Sequence, residues 1–282
     1  VSEIAIRPMT DADMALAVEW AACEGWNPGL SDAALFRQTD PDGFLVAIEA
    51  GEPVACISVV AYGGQFGFLG FYIVRPDRRG HGIGWTLWQA GMARLAGRTV
   101  GLDGVVDQQD NYRRAGFTLS HRNIRHAGLA GGAARPDPGV RAPVSDDLDA
   151  LAAFDAAHFG AMRRDFVRRW IAADGHRALL LREPDGTVSG YGVIRTCRDG
   201  FKVGPLFAMS PAIAARLFGA LAATCAPDAL IVLDTPEPNA GALQLAIDRG
   251  LHPVFETARM WHGAAPDMPL GQVYGVTTFE LG

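Results

Sequence analysis

Tyr72-Ile73-Val74-Arg75-Pro76-Asp77-Arg78-Arg79-Gly80-His81-Gly82-Ile83-Gly84 is the stretch on which the reading of this chain turns. Tyr72 to Val74 closes an apolar strand that begins near Phe66, and Pro76 stops it. Gly80, Gly82 and Gly84 follow, and glycine lets a backbone turn tightly enough to aim several N–H groups at one point. A helix is expected directly afterwards, over about residues 83–96, with Leu87, Gly91 and Leu95 along one side. The free N–H groups and dipole of a helix start favour an anion. Together these features describe a cradle for a pyrophosphate, although glycines alone suit a plain surface turn equally well. A Walker loop is excluded, because no Gly-Lys-Ser/Thr is present. A dinucleotide fingerprint is excluded too, because the third glycine is misplaced.

Upstream, Ile4-Ala5-Ile6-Arg7 alternates as a short strand, and Thr10 with Asp13 signals a capped helix reaching about Cys23. Residues 25–29 break it, and Ser31 can cap a second helix through Phe36. Residues 44–48 and 54–62, around Gly51-Glu52-Pro53, read as a hairpin. Downstream, residues 99–102 form a short strand, 107–115 a helix closed by Gly116, and Phe117 starts a strand reaching about Arg125. Residues 127–138 are rich in Gly and Pro and lack periodicity, as a linker does.

The second half repeats this plan. Helices are expected from Ser145 through His158 and over 165–172, with strands at 178–182, 190–196 and 202–208. Ser210-Pro211 opens a helix, and a strand at 230–233, a helix at 239–249 and a final strand at 273–281 follow. The matching order and spacing indicate a duplicated α/β unit.

Bulk composition bounds the function. The chain has 282 residues, 49% hydrophobic and 20% charged, enough for one large domain or two ordinary ones without disulfide or metal support. A net charge of -6 with no basic stripe excludes a phosphate-backbone binder, so no nucleic-acid partner is expected. Lys202 is the single lysine, and Schiff-base chemistry would rest on it alone. Cys23, Cys56, Cys197 and Cys225 form no CxxC pair and read as small apolar fillers in a reducing compartment. No apolar run is long enough for a membrane span, and the first residues lack a basic-then-apolar leader. The cytoplasm is therefore the expected location, without a membrane partner.

The pattern Val-x-Pro-x-x-Arg-Gly-x-Gly-Ile-Gly is carried by Val74, Pro76, Arg79, Gly80, Gly82, Ile83 and Gly84. It resembles the acyl-CoA-binding signature of the GNAT superfamily of N-acetyltransferases, and the element order agrees from Ile4 to Phe117. The resemblance implies a mixed α/β (α+β) sheet flanked by helices. It implies that acetyl-CoA, as cosubstrate, is held by Arg79, Gly80, His81, Gly82, Ile83 and Gly84. It further implies that the strand before the loop splays from its neighbour, so that backbone groups of Tyr72 and Val74 contact the cofactor. Tyr112-Arg113-Arg114-Ala115-Gly116-Phe117 matches a second family element, Tyr-x-x-x-Gly-Phe. By that resemblance Tyr112 hydrogen-bonds the coenzyme sulfur and protonates the departing thiolate.

An attacking amine must also lose a proton. Asp103, expected at the end of a strand beside the cleft, is the best carboxylate in the first half, although Asp103-Gly104 also reads as a turn. His81 lies within the phosphate loop. His121 and His126 fall on opposite faces of a strand, which speaks against a paired metal site, and no metal is expected.

The second half departs from the pattern. Family helices often read Asn-x-x-Ala-x-x-x-Tyr-x-x-x-Gly-Phe, and Asn239, Ala242, Ala246, Gly250 and Leu251 occupy those places here, with Ala246 where the tyrosine would stand. Met209-Ser210-Pro211 replaces the glycine loop. The chain thus resembles bacterial tandem-GNAT proteins with one working and one degenerate module. Residues 1–128 would be catalytic, 129–138 the linker, and 139–282 a degenerate copy that walls the acceptor cleft and covers the edge of the first sheet. The implied reaction is acyl transfer from acetyl-CoA to a primary amine of a small molecule, by direct attack in a ternary complex. A non-catalytic acyl-CoA sensor is the competing class, and a structural protein that binds no CoA is the third.

Overall fold

The computed structural model describes residues 3–131 and 137–282. Residues 132–136 of the expected linker lie outside the described residues. The first half runs β1 (Ile4–Pro8), α1 (Asp11–Cys23), α2 (Asp32–Thr39), β2 (Phe44–Glu49), β3 (Glu52–Tyr62), β4 (Phe66–Val74), α3 (Ile83–Arg94), β5 (Thr99–Val105), α4 (Gln109–Arg114) and β6 (Thr118–Leu129). The second half repeats that order as β7 (Val140–Arg141), α5 (Leu148–Phe159), α6 (Arg164–Ala172), β8 (His176–Arg182), β9 (Val188–Thr196), β10 (Phe201–Ala208), α7 (Pro211–Ala222), β11 (Leu230–Pro236), α8 (Ala240–Asp248) and β12 (His252–His262). One short strand, β13 (Val273–Gly275), is added.

The repeat extends to single contacts. In α1 the Thr10 hydroxyl accepts the Asp13 N–H, Asp13 accepts the Thr10 N–H at 2.8 Å, and Arg7 donates to the same carboxylate. In the copy, Asp147 accepts the Val144 N–H at 2.7 Å and holds Arg141. The helix start therefore rests on Asp147 and not on Ser145, which lies in a 3-10 turn. Ser31 likewise makes no cap; its hydroxyl donates to the Asp174 carbonyl of the other half.

All strands join one mixed sheet in the order β1-β2-β3-β4-β5-β12-β6-β11-β10-β9-β8-β7, with β13 on β10. The two halves exchange their last strands. β12 lies antiparallel between β5 and β6, and β6 lies antiparallel between β12 and β11. Hydrogen bonds thus tie the two halves through the middle of the sheet. The strand over 252–262 is not among those expected from the sequence, and β6 extends through 127–129, where a linker was expected.

Side chains alternate across a strand, so the sheet buries two faces. On one face, α1, α2, α5 and α6 cover a core shared by both halves, including Phe36, Phe71, Phe159, Trp170 and Phe207. On the other, α3 and α4 cover Ile57, Leu87, Leu102 and Met260, while α7 and α8 cover Leu206, Leu217 and Leu233. Met260, from β12, sits in the core of the first half. Cys56 and Cys197 are buried fillers as expected, whereas Cys23 is exposed. No helix among the described residues is long and apolar enough to cross a membrane.

Candidate active site

β4 pairs in parallel with β5 only from Phe66 to Leu69, although β4 continues to Val74 and β5 to Val105. Phe71 has a φ of 49°, and the register of β4 against β3 shifts between Ser58 and Cys56. Left-handed backbone at a bulky residue is a true outlier, and such strain persists only where the surroundings enforce it. Here it turns β4 away from β5. The two strands open into a V that holds a cleft of about 680 Å³. Tyr72, Val74, Arg79, Gly80, Gly82, Gly84, Asp103 and Tyr112 all line it. Of the sequence candidates, His81 and Ile83 do not.

Gly80 and Gly82 have φ values of 82° and 81°, conformations that other residues rarely adopt. The first backbone hydrogen bond of α3 runs from the Thr86 N–H to the Gly82 carbonyl at 3.1 Å. The N–H groups of Ile83, Gly84 and Trp85 accordingly have no partner among the described residues, which is the geometry an anion completes. Ile83 contributes that N–H alone, because its side chain is buried in the core. Gly84 is required by packing, since a Cβ there would lie 2.6 Å from the Tyr72 hydroxyl. Arg79 spans the loop, donating to the Val74 carbonyl at 2.9 Å and pairing with Glu24. His81 is exposed.

Tyr112 projects from α4 into the V, its ring stacked on Trp88 at 5.6 Å. Gly104 makes room for it, since a Cβ on Gly104 would lie 2.1 Å from the Tyr112 ring. Burial pushes the Tyr112 phenol well above its ordinary pKa, so it is a proton donor at any physiological pH. Its hydroxyl forms no hydrogen bond among the described residues and borders the cleft. Tyr72, beside it, is pushed up to about 12 by burial.

Asp103 occupies a strand and not a turn. Both of its oxygens are engaged: Arg259 of β12 donates to them at 2.8 and 2.6 Å, and Asn123 of β6 adds a third hydrogen bond at 2.8 Å. Asp234 is its counterpart, held by Arg125 of β6 at 2.7 and 2.8 Å. Each exchanged strand thus carries an arginine that forks onto an aspartate of the opposite half. The same pair recurs in the half that lacks Tyr112 and the glycine loop, which identifies it as a latch for strand exchange. Breaking one partner of a buried ion pair leaves an uncompensated charge, so Arg259→Ala should destabilise the fold by about 3–5 kcal/mol. Urea unfolding tests this, and a loss below about 1 kcal/mol, the scale of a surface pair, would remove the latch reading.

The equivalent V in the second half is closed. β10 pairs with β11 only over Phe201–Val203, and β13 then adds to β10 at Leu206 and Phe207. Val276 donates onward to the Asp234 carbonyl, so the chain itself fills the slot. The expected strand over 273–281 therefore ends at Gly275, because residues 276–282 leave the sheet and cross to the first half. Ser210 caps α7, with Pro211 replacing one donor. Calorimetric titration with CoA should give a stoichiometry near one per chain; a second saturating site would contradict the closed slot.

The far end of the cleft carries residues that no sequence motif marks. Trp26, Phe255, Thr257, Phe279 and Glu280 line it, drawn from the loop after α1, from β12 and from the 276–282 segment. The β-prone residues Val254, Phe255, Thr257 and Trp261 between Pro253 and Gly263 were the available signal for β12. His121 and His126 are buried in β6 away from the cleft, and burial lowers both, His121 to about 4. Among the described residues there is no cluster of three or more His, Cys, Asp or Glu able to hold a metal ion.

The splayed β4/β5 pair, the glycine loop at the start of α3 and the tyrosine in the opening match the arrangement that the sequence resemblance to the GNAT superfamily implies. Comparison with known proteins agrees. Residues 12–117 match the model of the acetyltransferase (GNAT) family, and residues 151–275 match that of an acetyltransferase (GNAT) domain. The chain belongs to the GNAT superfamily, in a tandem form, and family members generally use an acyl-CoA cosubstrate. It is 29% identical over 276 residues to the holothin acyltransferase of a Pseudoalteromonas species, covering 98% of this chain and 94% of that one. The fold is similar to a crystal structure from Pyrococcus horikoshii described as an acetyltransferase, with a TM-score of 0.81, 22% identity, and 99% and 96% of the two chains covered. It is also similar to a tandem GNAT protein from the clavulanic acid biosynthesis pathway, with a TM-score of 0.62, 15% identity, and 93% and 100% covered.

Proposed function

We propose that this chain transfers the acetyl group of acetyl-CoA to a primary amine of a small molecule, by direct attack within a ternary complex. The observation that carries the reading is that one continuous cleft contains the unpaired N–H groups at the start of α3, the Tyr112 hydroxyl and an aromatic chamber at its inner end. The N–H groups of residues 83–85 hold the pyrophosphate, and the opened edge of β4 lies against the pantetheine arm. Tyr112 gives its proton to the departing sulfur. The chamber leaves room for the acceptor at the same time, which favours direct attack over an acyl-enzyme. Among the described residues no cysteine lines the cleft to carry an acyl group. Asp103, with both oxygens held by Arg259 and Asn123, positions β12 and leaves the proton of the amine to another group. Similarity to the holothin acyltransferase along nearly the whole chain supports acyl transfer over a purely sensing role.

The test is release of free thiol from acetyl-CoA in the presence of a panel of primary amines, with the acetylated product identified by mass. Tight CoA binding without release for any amine would favour the sensing alternative.

A further inference from the structure

The chamber at the inner end of the cleft has walls from both halves. Trp26 and Phe71 of the first half form an edge-to-face pair with ring centroids 6.4 Å apart, and Phe255 and Phe279 of the second half lie 6.5 Å apart. Arg125 stands over the Phe279 ring at 4.9 Å. The chamber is thus walled mainly by ring faces and edges.

Two polar groups in it are unspent. Glu280 is 6% exposed, and its carboxylate forms neither hydrogen bond nor ion pair among the described residues. The Thr257 hydroxyl is buried and also lacks a partner among them. Glu280 is firmly placed by its backbone: its carbonyl accepts from Ser58 at 3.2 Å, its N–H donates to Thr278, and it lies so close over Gly70 that a Cβ there would come within 2.4 Å of the Glu280 carbonyl. Buried carboxylates are ordinarily paired, and one held rigidly in a substrate cleft without a partner indicates a ligand group that completes it.

We propose that Glu280 accepts the proton of the attacking amine, and that this amine is carried on a flat, apolar body held among Trp26, Phe71, Phe255 and Phe279. The proposal rests on the acyl-transfer reading above and names the acceptor end of the same site. The nitrogen lone pair forms the C–N bond, and the C–S bond breaks with its electron pair on sulfur. Tyr112 supplies the proton to sulfur, and Glu280 takes the proton shed by nitrogen. Proton exchange with solvent afterwards restores both side chains.

The charges facing Glu280 fit this role. Arg125 of β6 already holds Asp234 of β11, and Arg195 of β9 holds Asp32 of α2. Lys202 of β10 donates to the Trp26 carbonyl at 2.8 Å and is pushed down to about 8 by burial. Burial raises Glu280, with the Asp32 charge adding to it and Lys202, Arg195 and Arg125 opposing it. A base must be ionised to act. Activity should therefore rise with pH along an acidic limb placed above the ordinary carboxylate range.

The experiment has a binding arm and a turnover arm. In the first, benzylamine and naphthylmethylamine are titrated into wild type, Glu280→Gln and Glu280→Asp, each saturated with CoA, which has no acyl group to give. Both amines should bind wild type, and Glu280→Gln should weaken them at least tenfold, with CoA affinity unchanged and Glu280→Asp intermediate. The matching alcohols should bind wild type and Glu280→Gln alike. Equal amine affinity in wild type and Glu280→Gln, or preference for a linear polyamine over the aromatic amines, would overturn the assignment. In the second arm, Glu280→Gln should lower kcat about 100-fold with the KM for acetyl-CoA unchanged and the acidic limb lost, as for removal of a general base. Unchanged kcat and pH profile in that variant would overturn Glu280 as proton acceptor. Amine binding that depends on Glu280, without acetylation by wild type, would count against the acyl-transfer reading while upholding the amine site.

Discussion

Gly82→Val is expected to lower CoA affinity by about 10²- to 10⁴-fold while the protein remains folded. Gly82 has a φ of 81° and caps α3, so its conformation decides where the N–H groups of residues 83–85 point. A β-branched residue is strained there by about 1–3 kcal/mol and relieves the strain by rotating the loop. Hydrogen bonds to a charged group contribute about 1.5–3 kcal/mol each, so losing two of them gives the stated range at about 1.4 kcal/mol per tenfold. Nothing lies within 4 Å of the added Cβ, so the fold itself has room for the change. Calorimetric titration of CoA decides the matter, with circular dichroism as the check on folding. Affinity equal to wild type would remove the loop from the cofactor site.

Tyr112→Phe should lower kcat by about 10² to 10⁴, the usual worth of a positioned proton donor, with little change in CoA affinity. The ring does not move in this variant, because Trp88 and Gly104 enclose it as before. Only the hydroxyl is lost. Without it the sulfur leaves as a thiolate in a low-dielectric cleft, and the barrier rises accordingly. Gly104→Ala offers an independent check: its Cβ would lie 2.1 Å from the ring, so the hydroxyl is displaced without being removed. Both variants should slow the same step, measured in a single turnover with acetyl-CoA and a reactive amine. Wild-type rates in Tyr112→Phe would leave Tyr112 as a packing residue.

The candidate site is unevenly legible in the sequence. The glycine loop, the helix after it and Tyr112 all follow from contiguous residues, and the structure places them on one cleft. Asp103 stands at a plausible position but is bound to Arg259, which lies 156 residues away. Glu280 carries no local signal at all. Its surroundings are assembled from Gly70, Arg125, Arg195 and Lys202, on four different strands.

By itself the sequence determined what short-range chemistry controls. It set the α/β repeat, the left-handed glycines of the loop, the Thr10 capping box, and the replacement of the glycine loop by Met209-Ser210-Pro211 and of the motif tyrosine by Ala246 in the second half. These depend on backbone preferences and hydrogen bonds that span a turn or two of chain. Only the tertiary structure decided that β12 and β6 change places, that β13 closes the second slot, and that residues 276–282 line the first. A strand carries an unpaired edge that accepts any neighbour of suitable register, so its partner is chosen by what becomes buried with it. Here Met260 enters the core of the first half and Arg259 and Arg125 reach aspartates across the exchange, and those long-range contacts select the pairing.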